Sequence, residues 1–122
     1  MLRNTATGTV LATEVRVARR LRERLRGLLG TSGLPSGSAL VLTPCRHVHM
    51  RGMRYPITAV YVDPAGIVLA VRRLEPGERG PRICRARAVV ELPTDPSPAV
   101  QVGDTVAWSA PTPSTRRDTP CD

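Results

Sequence analysis

The sequence has no phenylalanine and no lysine, one tryptophan, two tyrosines and a single asparagine, Asn4. Without large rings the interior must be filled by aliphatic side chains, and Val, Leu and Ala supply most of the 41% hydrophobic content. Without lysine, all 18 basic residues are arginine, and the abundance of Ala, Val, Gly and Pro beside them points to a GC-rich, bacterial type of codon usage. The formal charge of +8 would by itself suggest nucleic acid or an anionic surface, since clustered cations release counterions from phosphates. Part of that charge is attributable instead to base composition, because arginine also serves as a general surface residue with a packable stem.

Long apolar runs are missing as well. No segment approaches the roughly 18 apolar residues needed to span a bilayer. The run Val10 to Ala12 behind Arg3 is too short for a signal-peptide core, so a soluble, cytoplasmic protein is expected. Cysteine is sparse and odd in number: Cys45, Cys84 and Cys121. That argues against a disulfide framework, although a Cys45 to Cys84 bridge stays geometrically open. A chain of 122 residues suits one domain with a modest core, burying about two-thirds of its unfolded surface. The domain is expected over residues 1–109. Residues 110–122, rich in Pro, Ser, Thr and Arg, carry too little apolar surface to offset their chain entropy and are expected to form a disordered tail.

What is present is mostly strand-like. From Leu11 to Ala18, Val15 and Val17 alternate with Glu14 and Arg16, the period of a half-buried strand. Leu21, Leu25 and Leu28 then recur at helical spacing, with Gly30 placed to cap a short helix. A loop over Thr31 to Ser38 follows, then β-like runs at Ala39 to Leu42, Cys45 to Met50, Ala59 to Val62, Ile67 to Leu74, Arg85 to Leu92 and Thr105 to Trp108. Asp63-Pro64-Ala65-Gly66 reads as a tight turn, which makes Ala59 to Leu74 a hairpin. The expected fold is a compact, mainly β, antiparallel sandwich or barrel with one or two short helices.

Arg24-Leu25-Arg26-Gly27-Leu28-Leu29, then His49, Gly52-Met53-Arg54-Tyr55-Pro56-Ile57 and Val60-Tyr61-Val62-Asp63, resemble the domain of unknown function 192 family. Gly66-Ile67-Val68, Val90-Glu91-Leu92-Pro93 and Val102-Gly103-Asp104 continue the resemblance in order, from about Val10 to Trp108. The resemblance implies a jelly-roll-like β fold. It implies no activity and carries over no catalytic residue. Two positions depart from the family's pattern: Thr58 stands where an Asp is usual, and Asp95 where a Gly is usual.

Three constellations bear on chemistry. On a strand over Cys45 to His49, alternation would put Cys45, His47 and His49 on one face. Two imidazoles and a thiolate are donors for zinc or another transition metal, with Cys84, Glu91 or Asp63 as a possible fourth. The competing reading makes His49 a structural histidine and Cys45 a small core hydrophobe. Cys45 with His47 also supplies the residue types of a nucleophile and its base, but nothing marks an oxyanion site.

His49, Arg51, Arg54 and Tyr55 form a different set, suited to a small anionic ligand, because guanidinium groups bind carboxylate or phosphate through paired hydrogen bonds. Finally, six arginines between Arg16 and Arg26 form a basic cluster lacking aromatic residues, which reads first as a solvated face and second as a weak nucleic-acid surface. The leading reading is a non-catalytic accessory or anion-binding domain. The alternatives are a structural or hydrolytic Cys/His metal site and weak nucleic-acid binding.

Overall fold

A computed structural model describes residues 1–18 and 34–109. Eight strands follow one another: β1 (Leu2–Asn4), β2 (Thr9–Ala12), β3 (Glu14–Ala18), β4 (Ser38–Leu42), β5 (Ile57–Val62), β6 (Val68–Leu74), β7 (Ala88–Leu92) and β8 (Val106–Trp108). They form a three-stranded sheet in the order β2-β1-β8 and a five-stranded sheet in the order β3-β4-β7-β5-β6. The fold is mainly β. The sheets stay open rather than closing into a barrel, and the β3–β4 pairing is parallel while the others are antiparallel. No helix occurs among the described residues. The helix expected over Leu21, Leu25 and Leu28, and the tail expected at 110–122, lie outside them.

The larger sheet is covered on both faces, and its sequence shows why. All six residues of β5 and all five of β7 are buried, so these strands read as continuous apolar runs rather than alternating ones. On one face, Val41, Val60, Val62, Val90 and Leu92 pack against Leu2, Ala12 and Val106 of the smaller sheet, with Trp108 half-buried beside them. On the other, Leu40, Leu42, Ala59, Tyr61 and Val89 pack against Cys45, Val48, Met50, Met53 and Tyr55.

This second face has no regular sheet above it. Its cover is two irregular segments, 43–56 and 75–87, running antiparallel to one another across the strands. Cys45 N–H donates to the Arg87 carbonyl at 2.9 Å, Ile83 N–H to Arg46 at 2.9 Å, Gly80 N–H to Val48 at 2.8 Å, and Met50 N–H to Glu78 at 2.8 Å. Partner positions 87, 83, 80 and 78 are unevenly spaced against 45, 46, 48 and 50, and only His49 and Arg79 make a bridge of β type. Pro76 and Pro81 lack the N–H donors a continuous ladder requires.

The cover corrects the expected strand over Cys45 to Met50 and its facing. Cys45, Val48 and Met50 point inward and are buried, whereas Arg46 is exposed and His47 and His49 are partly exposed. Alternation slips between Cys45 and Val48, so the cysteine sulfur and the two imidazoles do not share a face. The single strand expected over Leu11 to Ala18 is also divided. Thr13 and Glu14 both donate N–H to the Gly37 carbonyl, at 2.9 and 3.0 Å, and the chain crosses there from the smaller sheet to the larger. The run expected from Arg85 enters its strand only at Ala88.

The hairpin of β5 and β6 forms as the turn residues require. Asp63 Oδ1 accepts from Ala65 N–H and Ile67 N–H, both at 2.9 Å. Gly66 N–H donates to the Asp63 carbonyl at 2.9 Å, with φ of 89° at Gly66. A Cβ there would stand 2.7 Å from the Val106 carbonyl oxygen, so both the left-handed conformation and the close approach of β8 call for glycine.

Candidate functional site

His47, His49, Arg51 and Gly52 of one cover segment and Gly77 and Arg79 of the other line a cleft of about 460 Å³. The backbone frames it. Met50 N–H donates to the Glu78 carbonyl at 2.8 Å, and Gly77 N–H to the Met50 carbonyl at 3.1 Å, so Met50, anchored in the core, pins the strip carrying His49 and Arg51 to the strip carrying Arg79. The Nδ1 atoms of both imidazoles are shielded from solvent, while Arg51 and Arg79 are exposed at the rim. Neither guanidinium meets a carboxylate among the described residues, where Arg73 with Glu75 at 2.7 Å makes the ion pair of this region. Glu78, the acid nearest in sequence to Arg79, turns its Oε1 to the Glu75 N–H at 2.6 Å. The lining is therefore cationic and rich in donors.

The residues expected from the sequence divide. His49 and Arg51 line this cleft together with His47. Arg54 is exposed but outside the lining, and Tyr55 is buried in the core. Arg79 was not anticipated, and the only signal for it was its place in a Pro- and Gly-rich stretch whose partner cannot be read locally.

Cys45 is 2% exposed on the inner side of the cover and, contrary to the expectation from the odd cysteine count, is disulfide-bonded, so it offers no thiolate to a metal. Cys84 is a free, exposed thiol, which excludes a Cys45 to Cys84 bridge. Of the other donors considered for a metal, Asp63 caps the β5–β6 turn and Glu91 is fully buried in β7 opposite Leu40 and Ala59. Among the described residues no three His, Cys, Asp or Glu side chains converge as a metal-binding group.

Beneath the cover, Tyr61 donates its hydroxyl to the Pro81 carbonyl at 2.8 Å. Its pKa is pushed up to about 12, chiefly by burial, with Arg72 opposing and Glu91 adding to the rise. Gly80 lies directly over this hydroxyl: a Cβ there would stand 2.5 Å from Tyr61 Oη and 3.3 Å from the Val48 carbonyl oxygen. Tyr61 and Gly80 thus fix the height of the cover above the sheet.

Comparison with known proteins bears on what this arrangement belongs to. The profile of a family described as Uncharacterized ACR, domain of unknown function 192, matches residues 2–108. The chain belongs to the domain of unknown function 192 family. A solved structure of this shape comes from Novosphingobium aromaticivorans DSM 12444, a protein of unknown function determined at 1.22 Å, with a TM-score of 0.64 and 20% identity over 77% of this chain and 74% of that one. It shares the fold. No curated protein matches the chain.

Within this domain of unknown function 192 fold, the two departures from the family's pattern lie away from the cleft lining. Thr58 is buried in β5, paired with Leu92 and Arg73, and on the pleat shared with Val60 that faces the smaller sheet. Asp95 is exposed in the loop after β7. No helix long and apolar enough to cross a membrane is found among the described residues.

Proposed function

We propose that this domain is a non-catalytic module that binds a small organic anion in the cleft between the cover segments. The observation that carries the reading is the convergence of Arg51, Arg79, His47 and His49 on one cavity of about 460 Å³. Guanidinium forks bind carboxylate and phosphate bidentately, and imidazole N–H groups add donors. Cavities of roughly 300–1,000 Å³ are the usual size for small-molecule sites. The cleft is larger than a bare oxyanion requires, which favours a phosphorylated or carboxylated metabolite with an uncharged remainder.

Binding rather than turnover is favoured because the Cys45 sulfur is disulfide-bonded and faces the core, while both imidazoles line the cleft. Calorimetric titration with a panel of sugar phosphates, nucleoside monophosphates and dicarboxylates tests the reading. At least one should bind with a Kd below about 1 mM, and Arg51→Gln with Arg79→Gln should weaken it by about 10-fold or more. A panel without binders, or full affinity in the double variant, would remove the proposal.

A further inference from the structure

The outer face of the cover carries more charge than the cleft uses. Arg46, Arg51 and Arg54 lie on one segment and Arg79, Arg82, Arg85 and Arg87 on the other, all exposed. Hydrogen bonds joining 45 to 87, 46 to 83, 48 to 80 and 50 to 78 hold these segments side by side, so the seven share one layer running across the strands. Among the described residues none of them is neutralised by a carboxylate. The only acids in the same segments, Glu75 and Glu78, are engaged with Arg73 and with a backbone N–H at one end. Asp63, Asp104 and the buried Glu91 are committed elsewhere. Codon usage explains why the basic residues are arginine, but it does not explain why they gather on this layer.

We infer that this face is a docking surface for the phosphate backbone of a nucleic-acid duplex. Along the second segment Arg79, Arg82, Arg85 and Arg87 recur every two or three residues, through a turn that Ala86 N–H closes on the Ile83 carbonyl at 3.0 Å, so the cations are closely set. That spacing suits a ligand of dense, repeating negative charge such as a duplex, which presents one charge per about 1.7 Å of axis. Single strands are a poorer match, because they are held by stacking on exposed rings and both tyrosines are buried. A membrane surface is a poorer match too, because among the described residues the exposed large hydrophobics, Met1, Val10, Ile67 and Val102, all lie off the cover. Contacts of guanidinium groups to phosphate carry no sequence information, so recognition is independent of sequence.

Fluorescence anisotropy with a labelled duplex of about 20 base pairs, roughly two helical turns, tests the inference. Affinity should fall steeply between about 50 and 200 mM salt, with a slope in log–log form near −0.9 per phosphate neutralised. Replacing Arg82, Arg85 and Arg87 by Gln should reduce that slope by about three, with the melting curve unchanged. Arg3→Gln with Arg16→Gln, off the face, should leave it as in the wild type. Small-anion binding in the cleft should survive the triple change, which separates failure here from failure of the cleft reading. No duplex binding at low salt, an equal loss in the off-face variant, or capture by phosphatidylserine vesicles or polyglutamate as tight as by the duplex would each overturn it.

Discussion

Tyr61 is the clearest case of one side chain linking layers. Its ring lies in the core and its hydroxyl holds the Pro81 carbonyl, so Tyr61→Phe should cost about 1 kcal/mol in urea unfolding through the lost hydrogen bond. Its raised pKa also makes stability depend on pH. The folded state keeps the phenol neutral, so the full contribution is present below the unfolded pKa of about 10 and is lost as pH rises through about 12. Denaturation midpoints measured between those values should fall for the wild type and flatten in Tyr61→Phe. Gly80→Ala should destabilise by about 1–3 kcal/mol through overpacking against the same hydroxyl. Combined with Tyr61→Phe it should cost less than the sum, because the atom it strikes is gone. Asn4 is a second buried polar link: Nδ2 donates to the Ala99 carbonyl at 3.1 Å and to Asp104 Oδ2 at 2.9 Å.

At the scale of elements, the turn chemistry was legible and the cover was not. Asp63, Pro64 and Gly66 act within four consecutive residues, so the hairpin can be read from them directly. Gly66→Ala should lower stability by more than about 1 kcal/mol, from strain at positive φ and contact with β8, measurable as a shift in the thermal midpoint. The six-residue run Cys45 to Met50 looked like a strand because inward Cys45, Val48 and Met50 supply an apolar signal. Its true partner lies some 30 to 40 residues on, broken by two prolines, and that is long-range information.

The same cause hid Arg79 from the candidate site while leaving His49 and Arg51 visible, since only those two share a local motif. β1 was missed because three residues give no period to read. Uneven hydrogen bonding in the cover also has a dynamic consequence. In native-state hydrogen exchange, the amides of Gly80 and Ile83 should open at lower free energy than those of β5 and β7.

Across the whole molecule, the larger sheet is a shared middle layer with a regular sheet on one side and the cover on the other. Mainly β architecture was readable from composition and punctuation. The parallel β3–β4 pair and the burial of both faces were not, because a strand covered on both sides loses the alternation that marks a half-exposed one. Cationic groups gather on the cover, so a ligand in the cleft should stabilise the fold as a unit. At about a hundred times its Kd it should add roughly 2.7 kcal/mol, seen as a rise in melting temperature that Arg51→Gln with Arg79→Gln cuts to about half or less.

The slipped alternation in the cover separates two tasks along one stretch of chain. Cys45, Val48 and Met50 hold the layer down, while Arg46 and Arg51 are exposed and His47 and His49 are half-buried at the cleft. Variation at the exposed Arg46 and Arg51 is therefore nearly neutral for folding, and a library randomised there should yield mostly folded proteins with altered ligand preference. The same randomisation at the inward positions should yield few. An irregular lid over a rigid sheet makes the domain a scaffold whose chemistry can drift while its architecture stands still.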